Sequence, residues 1–134
     1  MNLATRDGPL WSALLAIGSG AVIGAWLRWA FAYWLNARWP LMPLGTLTAN
    51  LVGGYLIGIA IAVFAMHPAL SPFWRLLIVT GFLGSLTTFS TFSAESLVML
   101  QSGSWRSAAV HSVVHLLGSL AAAGAGVATI RLLR

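Results

Sequence analysis

Gly81-Phe-Leu-Gly-Ser-Leu-Thr-Thr-Phe-Ser-Thr-Phe-Ser93 sits in the middle of an apolar stretch that runs from about Pro72 to Gln101. Two glycines followed by a dense run of serine and threonine make a poor unbroken helix, yet the flanks are long and apolar enough to cross a bilayer. A helix break at membrane depth is tolerated only where the freed backbone is buried in protein or lines a cavity. Unwound carbonyls at such a break commonly coordinate a cation. The spacing therefore predicts a functional break in a spanning helix. The plainer alternative is a kinked but continuous helix whose hydroxyls bond back to the i−4 carbonyls.

Outward from this segment, three more stretches are long enough to span: about residues 10–35, 44–66 and 104–130, beside the third at 72–101. The connections are short, and no linker or soluble domain is left over, so the chain is expected to be one all-α transmembrane domain. Residues 8–27 are too long and lack a small-residue cleavage site for a signal peptide, and are taken as a retained first span. Composition agrees. Hydrophobic types make up 59% and charged residues 7%, against roughly a quarter charged in soluble domains, which leaves too few charges to clothe a water-soluble core.

All seven basic residues are arginines, and the formal net charge is +5. Nucleic-acid binding needs a basic patch or stripe, whereas Arg6, Arg28, Arg38, Arg75, Arg106, Arg131 and Arg134 are scattered singly, mostly where helices should end. They read as interfacial anchors. Four spans put both termini on one side, with Arg6, Arg75, Arg131 and Arg134. The other side holds Arg38 and Arg106, plus Arg28 if it snorkels. Four against three is almost no positive-inside bias, and hints at insertion in both orientations. There is no cysteine, which excludes disulfides and thiolate chemistry.

Several polar groups fall inside the spans. Asn50, Gly54 and Gly58 repeat at four-residue spacing, placing a costly buried amide on a face where helices pack closely. It serves either as interhelical glue or as a pore-lining donor. Gly20 with Gly24, Gly54 with Gly58, and Gly118, Ala122 and Gly126 are small-xxx-small sets, suited to packing within the chain or to a dimer interface. Phe89 and Phe92, three apart, project from one face. A ring edge is electropositive and stabilises a desolvated anion without trapping it, while lipid or core packing is the ordinary role. His111, His115 and Ser119 form one polar stripe on the fourth span. A His-x-x-x-His pair invites a metal, but the further ligands of a zinc site are missing, since His67 falls in a loop. Glu95 is the one acid within a span, and such groups are functional candidates. It either nears the interface or pairs with an arginine. No acid, base and nucleophile converge in the pattern, so an enzyme is not expected.

Gly24-Ala-Trp-Leu-Arg28, Gly45-Thr-Leu-Thr-Ala-Asn50, Gly53-Gly-Tyr-Leu-Ile-Gly58 and the segment from Gly81 through Glu95 together resemble the CrcB/Fluc family of fluoride channels. The likeness covers essentially the whole chain, and Thr87-Thr-Phe-Ser-Thr-Phe-Ser93 is its most specific part. The resemblance implies an antiparallel, dual-topology homodimer with two pores in the bacterial inner membrane. It implies passive fluoride export that protects from fluoride toxicity, and a structural sodium ion held by the backbone carbonyls of Gly84 and Thr87 from both subunits. It puts Asn50, Phe89, Phe92, Ser90, Thr91, His111 and Ser119 along the fluoride pore. Ser85 departs from the glycine common at its position, and His115 stands where a small hydroxyl residue is more typical, which leaves its role open. A rival class, the small dual-topology multidrug or cation exporter, relies on a carboxylate in the first span, and residues 8–27 contain none.

Overall fold

The computed structural model describes residues 9–38 and 42–134. Arg6 and residues 39–41, with Pro40 of the first connection, lie outside the described residues. Helix α1 is Leu10–Leu35 and passes through one 3-10 turn, Asn36–Arg38. Helix α2, Leu44–Met66, follows. Asn36 Oδ1 accepts a hydrogen bond from the Gly45 amide at 2.7 Å, and so satisfies one of the free donors of the α2 N-terminus. The next helix, α3 (72–86), opens on a pattern suited to a helix start: Ser71 accepts from the Phe73 amide, and Pro72 occupies the first turn. After Pro72–Arg75 it widens into a π-helical stretch, Leu76–Leu83, and closes with the α-turn Gly84–Leu86. Helix α4 is Phe89–Gln101. Gly103, at φ 76°, makes the left-handed turn that returns the chain into α5, Trp105–Leu132.

Among the described residues, four segments are thus long and apolar enough to cross a membrane: α1, α2, α3 with α4, and α5. At 1.5 Å per residue even the 23 residues of α2 reach about 35 Å, more than the hydrocarbon core. The fourth span runs one residue later at its start and two at its end than the sequence pattern placed it. Four crossings return the chain to the side from which it set out.

Packing explains most of the glycines. A side chain at Gly20 or Gly24 would press onto the α3 backbone at Leu77 and Phe82, and Gly81 answers from α3 against Ile17. On the other side of the bundle, Gly58 faces the Ala123 carbonyl and Gly126 faces that of Tyr55. Without a water-driven force between helices, close backbone approach is what holds such pairs together. The small-residue sets are therefore used within the chain. The core they surround is formed by Ala49, Ala60, Phe64, Val79, Leu83 and Leu86. Large apolar side chains dominate the outside, including Trp11, Trp26, Trp29, Tyr33 and Trp34 of α1, as expected of a surface that meets lipid.

The break in the third span is real but lies beyond both glycines that announced it. Gly84 is helical, at φ −62° and ψ −28°. The extended residues are Thr87, at φ −80° and ψ 152°, and Thr88, at φ −148° and ψ 118°. Gly81 serves close approach instead, and the hydroxyls and Asn50 make the break.

Candidate functional site

The break frees backbone groups on both sides, and several of them find partners within the chain. On the α3 side, the Leu83 carbonyl accepts from the Thr87 amide at 3.0 Å and from the Thr87 hydroxyl at 2.9 Å. Back-bonding, expected as the alternative to a break, accompanies one. The Ser85 carbonyl accepts from Arg28 Nε at 2.9 Å. Arg28 therefore turns inward to the negative end of α3, where the sequence had allowed for snorkelling. On the α4 side, Thr88 is the N-cap, its hydroxyl accepting from the Thr91 amide at 3.1 Å, as threonine does at helix starts. The same hydroxyl contacts the side chains of Ser90 at 3.1 Å and Thr91 at 3.0 Å.

Asn50 holds the unwound residue itself. Its Oδ1 accepts from the Thr88 amide at 2.8 Å, and its Nδ2 donates to the Thr88 carbonyl at 3.1 Å. The carboxamide pairs with both backbone groups of one residue as a neighbouring strand would, and only one orientation of the amide satisfies both bonds. The second Nδ2 hydrogen meets His115 Nδ1 at 3.2 Å. Because an amide nitrogen only donates, His115 Nδ1 must accept, and in the neutral ring the proton then sits on Nε2.

Behind Asn50 lies a polar cluster in which Thr46 and His111 are buried and Glu95 and Ser96 half-buried. Thr46 donates to Glu95 Oε1 at 2.5 Å, and Ser96 Oγ meets His111 Nδ1 at 3.1 Å. His111 Nε2 and Glu95 Oε2 approach to 3.3 Å, without the alignment of a hydrogen bond. Glu95 therefore pairs with His111 and Thr46 rather than with an arginine. The Phe92 ring lies nearly parallel to that of His111, with centroids 5.1 Å apart and planes at 13°. Its centroid is 4.9 Å from that of His115 and 5.4 Å from that of Phe89.

Two expectations need correction. Glu95 supplies the third metal-type ligand that the sequence lacked, since Glu95, His111 and His115 offer ligand atoms within 4.8 Å of one another. An acid, a base and a hydroxyl also converge, in Glu95, His111 and Ser96. Neither trio makes the obvious site. A metal on His115 Nε2 would need the lone pair that the Asn50 bond assigns to Nδ1. His111 is fully buried under Phe92, so no substrate approaches Ser96 through it.

In front of the cluster is a cavity of about 540 Å³. Asn50, Thr87, Phe89, Phe92, His115 and Ser119 line it, together with Gly84 and apolar residues of α2, α3 and α5. Among its lining residues there is no acid and no arginine. Phe89 is 79% exposed on the single chain. Ser90 lines the neighbouring depression with Arg28 and Ser85, Thr91 is engaged in the α4 cap, and His111 is fully buried in the polar cluster behind. The sequence reading passed over Thr46, Thr88 and Ser96. Thr88 was open to detection as a threonine three residues before Thr91 at a helix start, and Thr46 as a hydroxyl one turn before Asn50 on the same face.

Comparison with known proteins bears on the whole chain. The family described as CrcB-like protein, Camphor Resistance (CrcB), matches residues 15–127. A protein of Chromohalobacter salexigens named Fluoride-specific ion channel FluC is 58% identical over 120 residues, covering 90% of this chain and 91% of that one. Proteins of the same name from Thiobacillus denitrificans and Pseudomonas putida are 50% identical over 123 residues and 56% identical over 117, again over most of both chains. With four spanning helices and these relatives, this is a multi-pass membrane protein, and the chain belongs to the CrcB family.

Proposed function

We propose that the protein is a fluoride-selective channel, which lets fluoride leave the cytoplasm passively and so protects the cell. The observation that carries this is the cavity at the break, lined by an amide, hydroxyls, an imidazole and two phenyl rings, with no formal charge among its lining residues. The identity of the ion comes from the names of the relatives. Fluoride is small and strongly hydrated. A pore for it must replace that shell with donors while binding weakly enough to release the ion. Ring edges, hydroxyls and N–H groups meet both demands, whereas a ring of arginines would hold the anion too well.

In the same reading the channel is an antiparallel homodimer in the bacterial inner membrane, with two pores and a sodium ion on its axis. Gly84 and Thr87 suit the sodium by position. Both lie at the C-terminal end of α3, where carbonyls carry the negative end of the helix dipole. A side chain at Gly84 would meet only the Val79 carbonyl, at 3.5 Å, so this surface is open to a second copy. Bound there, sodium would supply a fixed positive charge that ties two breaks together. The test is fluoride efflux from liposomes containing only this purified protein. Rapid efflux with chloride retained is expected, and wild-type liposomes that hold their fluoride would end the proposal.

A further inference from the structure

Three buried polar atoms in the cluster have no hydrogen-bond partner: Glu95 Oε2, His111 Nε2 and His115 Nε2. The first two attract each other at 3.3 Å. His115 Nε2 has nothing. An orphaned buried donor costs its full desolvation, and here it belongs to a ring that lines the cavity and is itself only 5% exposed. The bond from Asn50 makes that atom an N–H in the neutral ring. Both Nδ2 hydrogens of Asn50 are meanwhile committed, to the Thr88 carbonyl and to His115, which leaves the amide none to offer an ion.

We propose that in this chain the His115 Nε2–H is a hydrogen-bond donor to the permeating anion, and that Asn50 is a positioning residue that holds His115 in the donating tautomer. The proposal rests on the fluoride-channel reading and assigns the work within its pore. The order of cause runs from the break: Thr88 orients the Asn50 amide, the amide fixes the proton on His115 Nε2, and the ring that carries it packs against Phe92, with centroids 4.9 Å apart. Glu95 and His111 face the same ring from α4 and α5, and their mutual attraction keeps the carboxylate turned to His111 rather than to the ion.

Two substitutions and one spectrum test this on liposome-reconstituted protein that still runs as wild type in detergent. His115→Gln keeps an N–H donor at nearly the reach of Nε2, and His115→Leu keeps the bulk without a donor. A hydrogen bond to a charged partner is worth enough that Leu should slow fluoride efflux by about ten- to a hundredfold, with Gln restoring it to within a few-fold. Nitrogen NMR of histidine-labelled protein should show His115 as the Nε2–H tautomer, moving to Nδ1–H in Asn50→Asp, whose carboxylate accepts where the amide donated. Equal loss in Gln and Leu, wild-type flux in Leu, or a wild-type Nδ1–H tautomer would each overturn the proposal. Wild-type protein that carries no fluoride at all would instead end the channel reading beneath it.

Discussion

Phe89 and Phe92 share a helix face but not an environment, and their difference gives a test of what the rings do. Phe92 is stacked on His111, whereas Phe89 is mostly exposed on the single chain. If both meet the ion by their edges, replacing either with isoleucine keeps apolar bulk but removes the quadrupole, and efflux should fall about tenfold or more, since each 1.4 kcal/mol is a factor of ten. Methionine, polarizable and adaptable, should be the best tolerated substitute. Full flux in both isoleucine variants would place the anion elsewhere. Thr46→Val probes the cluster behind. It leaves Glu95 Oε1 without its donor and should cost about 1–3 kcal/mol of stability, read as a lower melting temperature in detergent. The sequence made Asn50, Phe89 and Phe92 legible because a buried amide and paired rings are rare beside glycines. It hid Thr46 and Thr88, because a threonine in a spanning helix ordinarily satisfies itself against its own backbone.

Among the elements, the four spans were legible because apolar length alone marks them. The break was legible in kind but not in place. Glycine signals a weak helix, but whether it marks a bend or a close contact depends on the facing helix, which a single segment does not contain. Gly20, Gly24 and Gly81 turned out to be contacts between α1 and α3, and the unwound pair was Thr87 and Thr88. The contact role has a consequence. Gly58→Ala would drive a methyl onto the Ala123 carbonyl and should destabilise the α2–α5 pair by about 1–3 kcal/mol. Gly124, only one residue further along α5, has open space beside it. Gly124→Ala should leave the single chain's stability unchanged or slightly raised, because alanine is the better helix former. Thermal unfolding of both variants in the same detergent makes the comparison, and equal losses would mean that the α2–α5 contact is not what Gly58 is for.

At the scale of the whole molecule, the arrangement in the membrane depends on a weak electrostatic bias. With Arg28 held at the Ser85 carbonyl, it no longer counts toward an interface. Arg6, Arg75, Arg131 and Arg134 then stand against Arg38 and Arg106, a difference of two charges rather than one. Positive flanks near the ends of spans set orientation, and the antiparallel reading requires a margin narrow enough for both orientations to form. C-terminal reporters should therefore be found on both sides of the membrane in comparable amounts. The margin should also be easy to tip. Pro68→Lys with Ala69→Lys adds charge to the exposed connection between α2 and α3, on the side of the termini, and should fix that side in the cytoplasm. Gln101→Lys, Ser102→Lys and Ser104→Lys at the exposed turn between α4 and α5, combined with Arg131→Gln and Arg134→Gln, reverse the balance to five against two and should fix the opposite orientation. If the working unit is an antiparallel pair, each biased chain alone should give little fluoride efflux in cells, and producing the two together should restore it. Full activity from either biased chain alone, with its reporter on a single side, would mean that parallel or single copies conduct. The antiparallel dimer would then have to be given up, and with it a sodium ion shared between two breaks.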